Sequence, residues 1–125
     1  MKYSLKEISK LIEEYNFSFK KHYGQNFLID ENILNNIVNK ADPDQDTLVI
    51  EIGPGAGALT GKIAEKAKND LAYEIDKSLE PLLNQIVTND NVEIIYDDFL
   101  KRNILEDIKK YSFKKLLVVA NLPYY

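Results

Sequence analysis

The chain has 125 residues, 45% of them hydrophobic and 29% charged, which is the composition of one ordinary globular domain. With no Cys and a single His it can form no disulfide or thiolate metal site, and we expect neither zinc nor any other metal. The net charge of −4 argues against a stand-alone nucleic-acid-binding protein. The lack of a secretory signal and of a membrane-spanning apolar run predicts a cytoplasmic protein.

Two amphipathic helices are predicted before the first strand. Ser4 and Glu7 form a capping box for the first helix, and Asp30 can cap the second. Pro43 ends the second helix, and the aromatic and basic segment 17–30 between the helices is predicted to be an ordered loop. Apolar residues recur at helical spacing in the first helix at Leu5, Ile8, Leu11, Ile12 and Tyr15. The predicted inner face of the second helix consists of Ile33, Leu34, Ile37 and Val38.

Short apolar strands then alternate with helices. The predicted strands are 47–53, 71–76, 91–96 and 115–120. The predicted helices are 58–68, 78–87 with Ser78 as its cap, and 103–111. Strands that alternate with helices form right-handed βαβ units, so we predict an α/β fold with a parallel sheet.

The last strand indicates that the sequence is a fragment of a longer protein. Leu116 to Val119 is apolar throughout, as in strands that are buried on both faces. Doubly wound nucleotide-binding sheets usually have about six strands, and only four are predicted here. We therefore expect an exposed apolar edge at the fourth strand, through which the fragment could associate with a second copy.

A glycine-rich loop, E-I-G-P-G-A-G-A-L-T (51–60), joins the first strand to a helix. Gly53, Gly55 and Ala58 satisfy the dinucleotide fingerprint G-x-G-x-x-A, and Glu74 at the end of the next strand can accept both ribose hydroxyls. The alternative is a tight turn without a ligand. The context favours a nucleotide or nucleoside cofactor.

Three acidic residues bear on which cofactor binds. Glu51 would repel a pyrophosphate but suit a cationic sulfonium, which favours S-adenosylmethionine over a nicotinamide or flavin dinucleotide. Alternatively, Glu51 caps the N–H groups of the loop. Asp97 and Asp98 follow the third strand, where one of them can accept a hydrogen bond from an adenine amine or simply cap a turn.

The chain ends in N-L-P-Y-Y at the carboxyl end of the fourth strand. Asn121 and the carbonyl of Leu122, whose conformation Pro123 restricts, provide two hydrogen-bond acceptors, and Tyr124 provides an aromatic face. Two acceptors can hold an exocyclic amine so that its lone pair points at a methyl donor, while stacking holds the base. The alternative is a strand-terminating turn.

Five segments, in this order, resemble the ribosomal RNA adenine dimethyltransferases, in particular the KsgA-type enzymes of the small subunit. They are G-Q-N-F-L-I-D (24–30), E-I-G-P-G-A-G-A-L-T (51–60), Y-E-I-D (73–76), D-D-F-L (97–100) and N-L-P-Y-Y (121–125). The resemblance implies transfer of methyl groups from S-adenosylmethionine to N6 of two adjacent adenosines near the 3′ end of 16S rRNA, with the immature 30S particle as partner. It also implies the amino-terminal half of a Rossmann-like class I methyltransferase fold, with sheet order 3-2-1-4.

The resemblance also assigns residues and domains. We expect helices and the G-Q-N-F-L loop in 1–46 and a partial cofactor-binding domain in 47–125, without the remaining strands and the helical C-terminal domain of the family. The predicted cofactor site comprises Asn26, Leu28, Glu51, Gly53, Gly55, Glu74, Asp98 and Asn121. The predicted catalytic residues are Asn121, Leu122, Pro123 and Tyr124, and Lys20 and Lys21 lie near the expected RNA path. His22 and Tyr125 receive no role.

Four other interpretations stay open at this point. Macrolide-resistance methyltransferases of 23S rRNA share similar motifs but tend to have S-Q-N-F and G-S-G where this chain has G-Q-N-F and G-P-G. A dinucleotide-dependent oxidoreductase would also use the glycine loop. An RNA-binding module with a relict site and a mitochondrial transcription factor are further alternatives. The fragment itself is expected to bind cofactor at most and to show little or no catalysis.

Overall fold

Four parallel strands form one sheet in the computed structural model, which describes residues 3–15 and 30–120. The strands are β1 (Thr47–Ile52), β2 (Asn69–Tyr73), β3 (Val92–Ile95) and β4 (Lys115–Ala120). Their order is β3-β2-β1-β4, and each neighbouring pair is parallel. The predicted α/β fold and its 3-2-1-4 strand order are therefore confirmed.

Helices cover both faces of this sheet. They are α1 (Leu5–Tyr15), α2 (Glu31–Ala41), α3 (Ala58–Lys66), α4 (Glu80–Ile86) and the single turn α5 (Ile104–Asp107). Short 3-10 turns at Lys77–Leu79 and Phe99–Lys101 follow β2 and β3. None of these described helices combines the length and the apolar character that crossing a bilayer requires.

The predicted caps of the first two helices are confirmed. The Ser4 N–H donates to the Glu7 carboxylate and the Glu7 N–H donates to the Ser4 hydroxyl, both at 3.1 Å. Asp30 Oδ1 accepts from the N–H groups of Asn32 at 3.0 Å and Ile33 at 3.2 Å. These bonds satisfy N–H groups that a helix start leaves without partners.

Two helix predictions after β2 are wrong in detail. Asp76, not Ser78, caps the turn that precedes α4, because the Asp76 carboxylate accepts from both the N–H and the hydroxyl of Ser78. The α-helix itself begins only at Glu80, with Pro81 in its first turn. The helix predicted over 103–111 is a single α-turn capped by Asn103, followed by further turns.

The larger hydrophobic core lies between the sheet and α1 to α4. It combines Ile8 of α1, Leu34 and Val38 of α2 and Val49 of β1 with apolar residues of α3 and α4. Each such side chain contributes about 1.5–3 kcal/mol when fully buried. Ile33, predicted on the inner face of α2, is 46% exposed, so this part of the prediction is wrong.

The opposite face carries a smaller core and an exposed edge. Leu48, Ile50, Leu71 and Tyr73 are buried there beneath α5 and the segments around it. On β4, Leu117 and Val119 pack against the larger core, whereas Leu116 is 42% and Val118 60% exposed. Within the described residues β4 is thus the predicted exposed apolar edge, covered on one face only.

Candidate ligand site at the carboxyl edge of the sheet

The glycine loop between β1 and α3 needs its glycines for two separate reasons. Gly53, Gly55 and Gly57 have φ angles of 75°, 59° and 87°, in the left-handed region that other residues rarely adopt. At Gly57, moreover, a Cβ atom would lie 2.5 Å from Cγ2 of Val87, at the end of α4. Sequence reasoning did not single out Gly57, although it is the third glycine of G-P-G-A-G. The loop can therefore approach a ligand closely, and α3 can approach α4.

Glu74 lies directly after β2 and connects two backbone segments. Its Oε1 accepts from the Gly55 N–H at 3.2 Å, and its Oε2 accepts from the Asp76 N–H at 2.9 Å. The side chain is only 5% exposed, and burial raises its pKa although both N–H groups lower it. An N–H group of the loop is therefore capped by Glu74, whereas sequence reasoning offered Glu51 for that role.

Glu51 instead lies beneath the first turn of α3. It is fully buried, and its Oε1 accepts from the Thr60 hydroxyl at 2.8 Å. Its Oε2 has no hydrogen-bond partner among the described residues. The direct contact with a sulfonium that the sequence suggested stays a prediction.

Asp70 is a second fully buried carboxyl group on the same face, and sequence reasoning missed it. Neither of its carboxylate oxygens has a hydrogen-bond partner within the described part of the chain. Burial, and then the neighbouring Glu51, raise the pKa of Asp70, and burial also raises the pKa of Glu51. Two adjacent buried anions would repel each other, so the protonated form of Asp70, which can donate a hydrogen bond to Glu51, is favoured. No signal in the sequence marked Asp70, because it lies just before the strand predicted at 71–76 and falls within β2 only in the structure.

The aspartates after β3 cap a turn and bind an arginine. Asp98 Oδ1 accepts from the Leu100 N–H at 3.0 Å, which is the turn-capping alternative given above. Asp97 lies 3.4 Å from Arg102, which also makes two hydrogen bonds of 3.1 and 2.8 Å to Asp107. These contacts fix the segment that carries Asp98. A role of Asp98 in binding adenine stays a prediction.

Ile75 is a further candidate that sequence reasoning missed. It directly follows Glu74 and is 46% exposed, although the flanking Glu74 and Asp76 are buried. An apolar side chain beside a carboxylate suits a ligand with a planar ring attached to a ribose. The carboxyl edge of β1, β2 and β3 therefore brings together glycines, a buried carboxylate and an exposed apolar surface, in the position where open α/β sheets bind ligands.

Comparison with known proteins identifies this arrangement. The family model described as ribosomal RNA adenine dimethylase matches residues 16–125. The chain belongs to the ribosomal RNA adenine dimethylase family.

Curated relatives agree with this assignment. The chain is 52% identical over 118 residues to ribosomal RNA small subunit methyltransferase A of Staphylococcus aureus, from strains JH9 and Newman among others. The match covers 92% of the chain but 40% of those relatives. The chain thus spans less than half the length of the curated dimethylase-family proteins it matches.

Solved structures agree with the fold. The 23S rRNA methyltransferase ErmE superposes with a TM-score of 0.65 at 31% identity, covering 79% of this chain and 38% of ErmE. A dimethyladenosine transferase from Plasmodium falciparum gives a TM-score of 0.57 at 28% identity, over 76% of this chain and 33% of that one. Coclaurine N-methyltransferase, whose structure was determined with SAH, matches at 18% identity and supports the fold alone.

Part of the predicted dimethylase site falls outside the described residues. These positions are Lys20, Lys21, Asn26, Leu28, Asn121, Leu122, Pro123 and Tyr124. Their assignments stay predictions from the sequence. The described half of the site, from Glu51 to Asp98, is the part whose geometry is established.

Proposed function

We propose that this chain is the cofactor-binding half of an enzyme that transfers methyl groups from S-adenosylmethionine to N6 of two adjacent adenosines near the 3′ end of small-subunit rRNA. The observation that carries the proposal is the Glu74 carboxylate, which contacts the glycine loop at the carboxyl edge of the sheet in a member of the dimethylase family. The greater identity to small-subunit relatives than to ErmE supports 16S over 23S rRNA as substrate. Such a substrate also supports a cytoplasmic location.

The described residues fit a nucleoside cofactor that carries a positive charge and no phosphate. Glu74 can accept from ribose hydroxyls, Ile75 offers apolar surface to the base, and Asp98 would accept from an amine through a carboxylate oxygen. Glu51, one residue before the end of β1, lies buried close to the start of the glycine loop. Negative charge at that place favours a sulfonium over a pyrophosphate and speaks against the dinucleotide alternative.

S-adenosylmethionine, when bound, would supply the methyl group as an electrophile. The residues of this chain would then hold the target amine so that its lone pair points at the methyl group. We propose that Asn121 and the Leu122 carbonyl accept the two hydrogens of the adenine amine, that Pro123 restricts Leu122, and that the base stacks on Tyr124. Asn26 and Leu28 would hold the methionine end of the cofactor.

The remaining proposals concern the RNA and the rest of the protein. Lys20 and Lys21 would contact the rRNA of an immature 30S particle through its phosphates. Residues 1–46 would form the N-terminal helices and the G-Q-N-F-L loop, and 47–125 the partial cofactor-binding domain, with the remaining strands and the helical C-terminal domain in the additional length of the relatives. The exposed edge of β4 could pair two copies of this chain, which sedimentation would detect as a dimer.

Calorimetry of this chain with S-adenosylmethionine and with NAD tests the cofactor. We expect saturable binding of the first and none of the second. Binding of NAD alone would overturn the proposal in favour of an oxidoreductase.

A methylation assay on small-subunit particles that lack the modification tests the reaction. The protein of the length found in the relatives should dimethylate them, and its Asn121→Ala variant should lose most of the rate. We expect this chain alone to transfer little or no methyl. Unchanged activity of the Asn121→Ala variant would show that the assigned grip on the adenine is wrong.

A further inference from the structure

Tyr96 has a buried hydroxyl group that no described residue satisfies. Apart from oxygens of Glu51 and Asp70, it is the only buried side-chain polar atom without a hydrogen-bond partner within the described residues. A buried hydroxyl without a hydrogen-bond partner reduces stability. Phe would fill the same space without this cost, and no contact within the described residues explains the hydroxyl.

The position of Tyr96 relates it to Glu74. The parallel register pairs Tyr73 with Ile95, and the Glu74 N–H donates to the Ile95 carbonyl at 2.9 Å. Glu74 and Tyr96 therefore lie opposite each other at the ends of the adjacent strands β2 and β3. Neighbouring strands are about 4.8 Å apart, and side chains of paired residues lie on the same face of the sheet. That face holds the larger core, against which the Tyr96 ring packs.

The surroundings keep Tyr96 a hydrogen-bond donor. Burial and then the carboxylates of Glu80 and Glu74 raise its pKa to about 12. The phenol is therefore protonated at neutral pH, and it faces negative groups that can accept its proton in a hydrogen bond. Glu74 already accepts one backbone N–H on each oxygen, the longer bond being the 3.2 Å contact from Gly55.

We propose that Tyr96 is a positioning residue for Glu74, whose carboxylate accepts a hydrogen bond from the Tyr96 hydroxyl when the ribose of a nucleoside ligand engages it. A carboxylate that binds two ribose hydroxyls must keep a fixed orientation. Because a carboxylate has about four acceptor sites, the Tyr96 hydroxyl would take the place of the longer contact from the Gly55 N–H. Among the described residues of the free protein the hydroxyl has no partner, and in the proposed complex Glu74 provides one. The inference rests on the proposed function, because it presumes that Glu74 binds a ribose.

The test is the Tyr96→Phe variant of this chain, with two readouts. Calorimetric affinity for S-adenosylmethionine should fall about tenfold, the value of one hydrogen bond to a charged group. Denaturant unfolding of the free protein should show equal or greater stability than the original chain. Loss of affinity without loss of stability is the result that a merely structural hydroxyl cannot give.

Tyr111→Phe is the matched control. It also removes one tyrosine hydroxyl, which donates to Glu93 on the opposite face of the sheet. This variant should lose some stability and keep its affinity for S-adenosylmethionine. An equal loss of affinity in both variants would overturn the assignment to Tyr96.

A double-mutant cycle with Glu74→Gln tests whether Tyr96 acts through Glu74. For variants that bind too weakly for calorimetry, the increase in Tm at millimolar S-adenosylmethionine or millimolar adenosine reports ligand binding. On the Glu74→Gln background, Tyr96→Phe should cost less than about twofold, because coupled residues are not additive. A full tenfold loss on that background would refute positioning through Glu74.

The remaining outcomes separate this inference from the proposed function. If the original chain binds no S-adenosylmethionine, the proposed function of the chain fails. If it binds and Tyr96→Phe binds equally well, the inference alone fails. If affinity and stability fall together, Tyr96 is a packing residue and the inference is also overturned.

Discussion

The two faces of the sheet differ in how their polar side chains are paired. On the face covered by α5, Tyr73 donates to Asp107 at 2.8 Å, Arg102 binds the same carboxylate, and Glu93 accepts from Tyr111. On the face covered by α1 to α4, oxygens of Glu51, Asp70 and Tyr96 have no partner among the described residues.

The paired groups of the α5 face stabilise the fold, whereas the groups without partners lie on the face that carries the candidate ligand site. A satisfied network contributes to stability and specifies a unique packing. Buried groups without partners reduce stability, and such costs are typically found at functional sites. The face of α1 to α4 also carries Glu74 and the glycine loop. Changes on the α5 face should therefore act mainly on stability, whereas changes around Glu74 should act on binding.

The largest expected effect comes from Gly57→Ala, at the contact of α3 with α4. The new Cβ would meet Val87 at 2.5 Å, and φ of 87° is strained for alanine, so we expect a loss of about 3 kcal/mol in unfolding free energy. Denaturant titration measures it. Adding Val87→Ala should recover part of the loss, because it relieves the clash but not the strain. A Gly57→Ala protein as stable as the original would show that the two helices can move apart freely.

Asp107→Ala should have the next largest effect, on the α5 face. It removes the acceptor of the Tyr73 hydroxyl and of Arg102, at an expected cost of about 2 kcal/mol in unfolding free energy. Arg102 keeps the pKa of Asp107 below its usual value of 3.8, so the stability it contributes is present at neutral pH and is lost as the pH falls below about 4. Cofactor affinity should not change. A tenfold loss of affinity would contradict the division between the two faces.

Asp70→Asn should have a smaller effect of the opposite sign. The pKa of Asp70 is raised, so its contribution to stability is complete below about pH 3.8 and is lost as the pH rises through its higher folded-state pKa. Asn carries no charge and can donate to the free oxygen of Glu51, so we expect a gain of about 1 kcal/mol at neutral pH. Unfolding measured from pH 4 to 8 should show a flatter profile than in the original chain. A destabilised variant at pH 8 would mean that the pair is not strained.

The sequence predicted the features that depend on neighbours along the chain. The caps Ser4 and Asp30 follow from local spacing, and Glu74 follows from its position at the end of the strand after the glycine loop. The strand order, in contrast, was predicted from the family resemblance. Contacts between distant residues could not be read in this way. The Tyr73–Asp107 bond joins residues 34 apart, and the Glu74–Gly55 bond joins residues 19 apart.

Local signals also failed where two residues competed for one role. Asp76 and Ser78 are both good caps, and the backbone course after β2, which depends on the sheet, selects Asp76. The importance of Asp70 depends on Glu51 lying on the neighbouring strand. Tyr96 likewise gains its significance only from the register that places it beside Glu74. These are properties of the assembled sheet.

Glu106→Gln should have the smallest effect and sets the lower limit of the comparison. Glu106 makes a 3.2 Å ion pair with Lys109, and the two side chains are 60% and 73% exposed. Exposed pairs of this kind contribute little because water and salt screen them, so we expect a change within about 0.5 kcal/mol in unfolding free energy. The pair lies on the same side of the sheet as Asp107, but it is not part of the hydrogen-bond network of Tyr73, Arg102 and Asp107. If Glu106→Gln lowered the unfolding free energy as much as Asp107→Ala does, proximity to α5 rather than the satisfied hydrogen bonds would explain the stability of that face. The contrast between the two faces would then no longer hold.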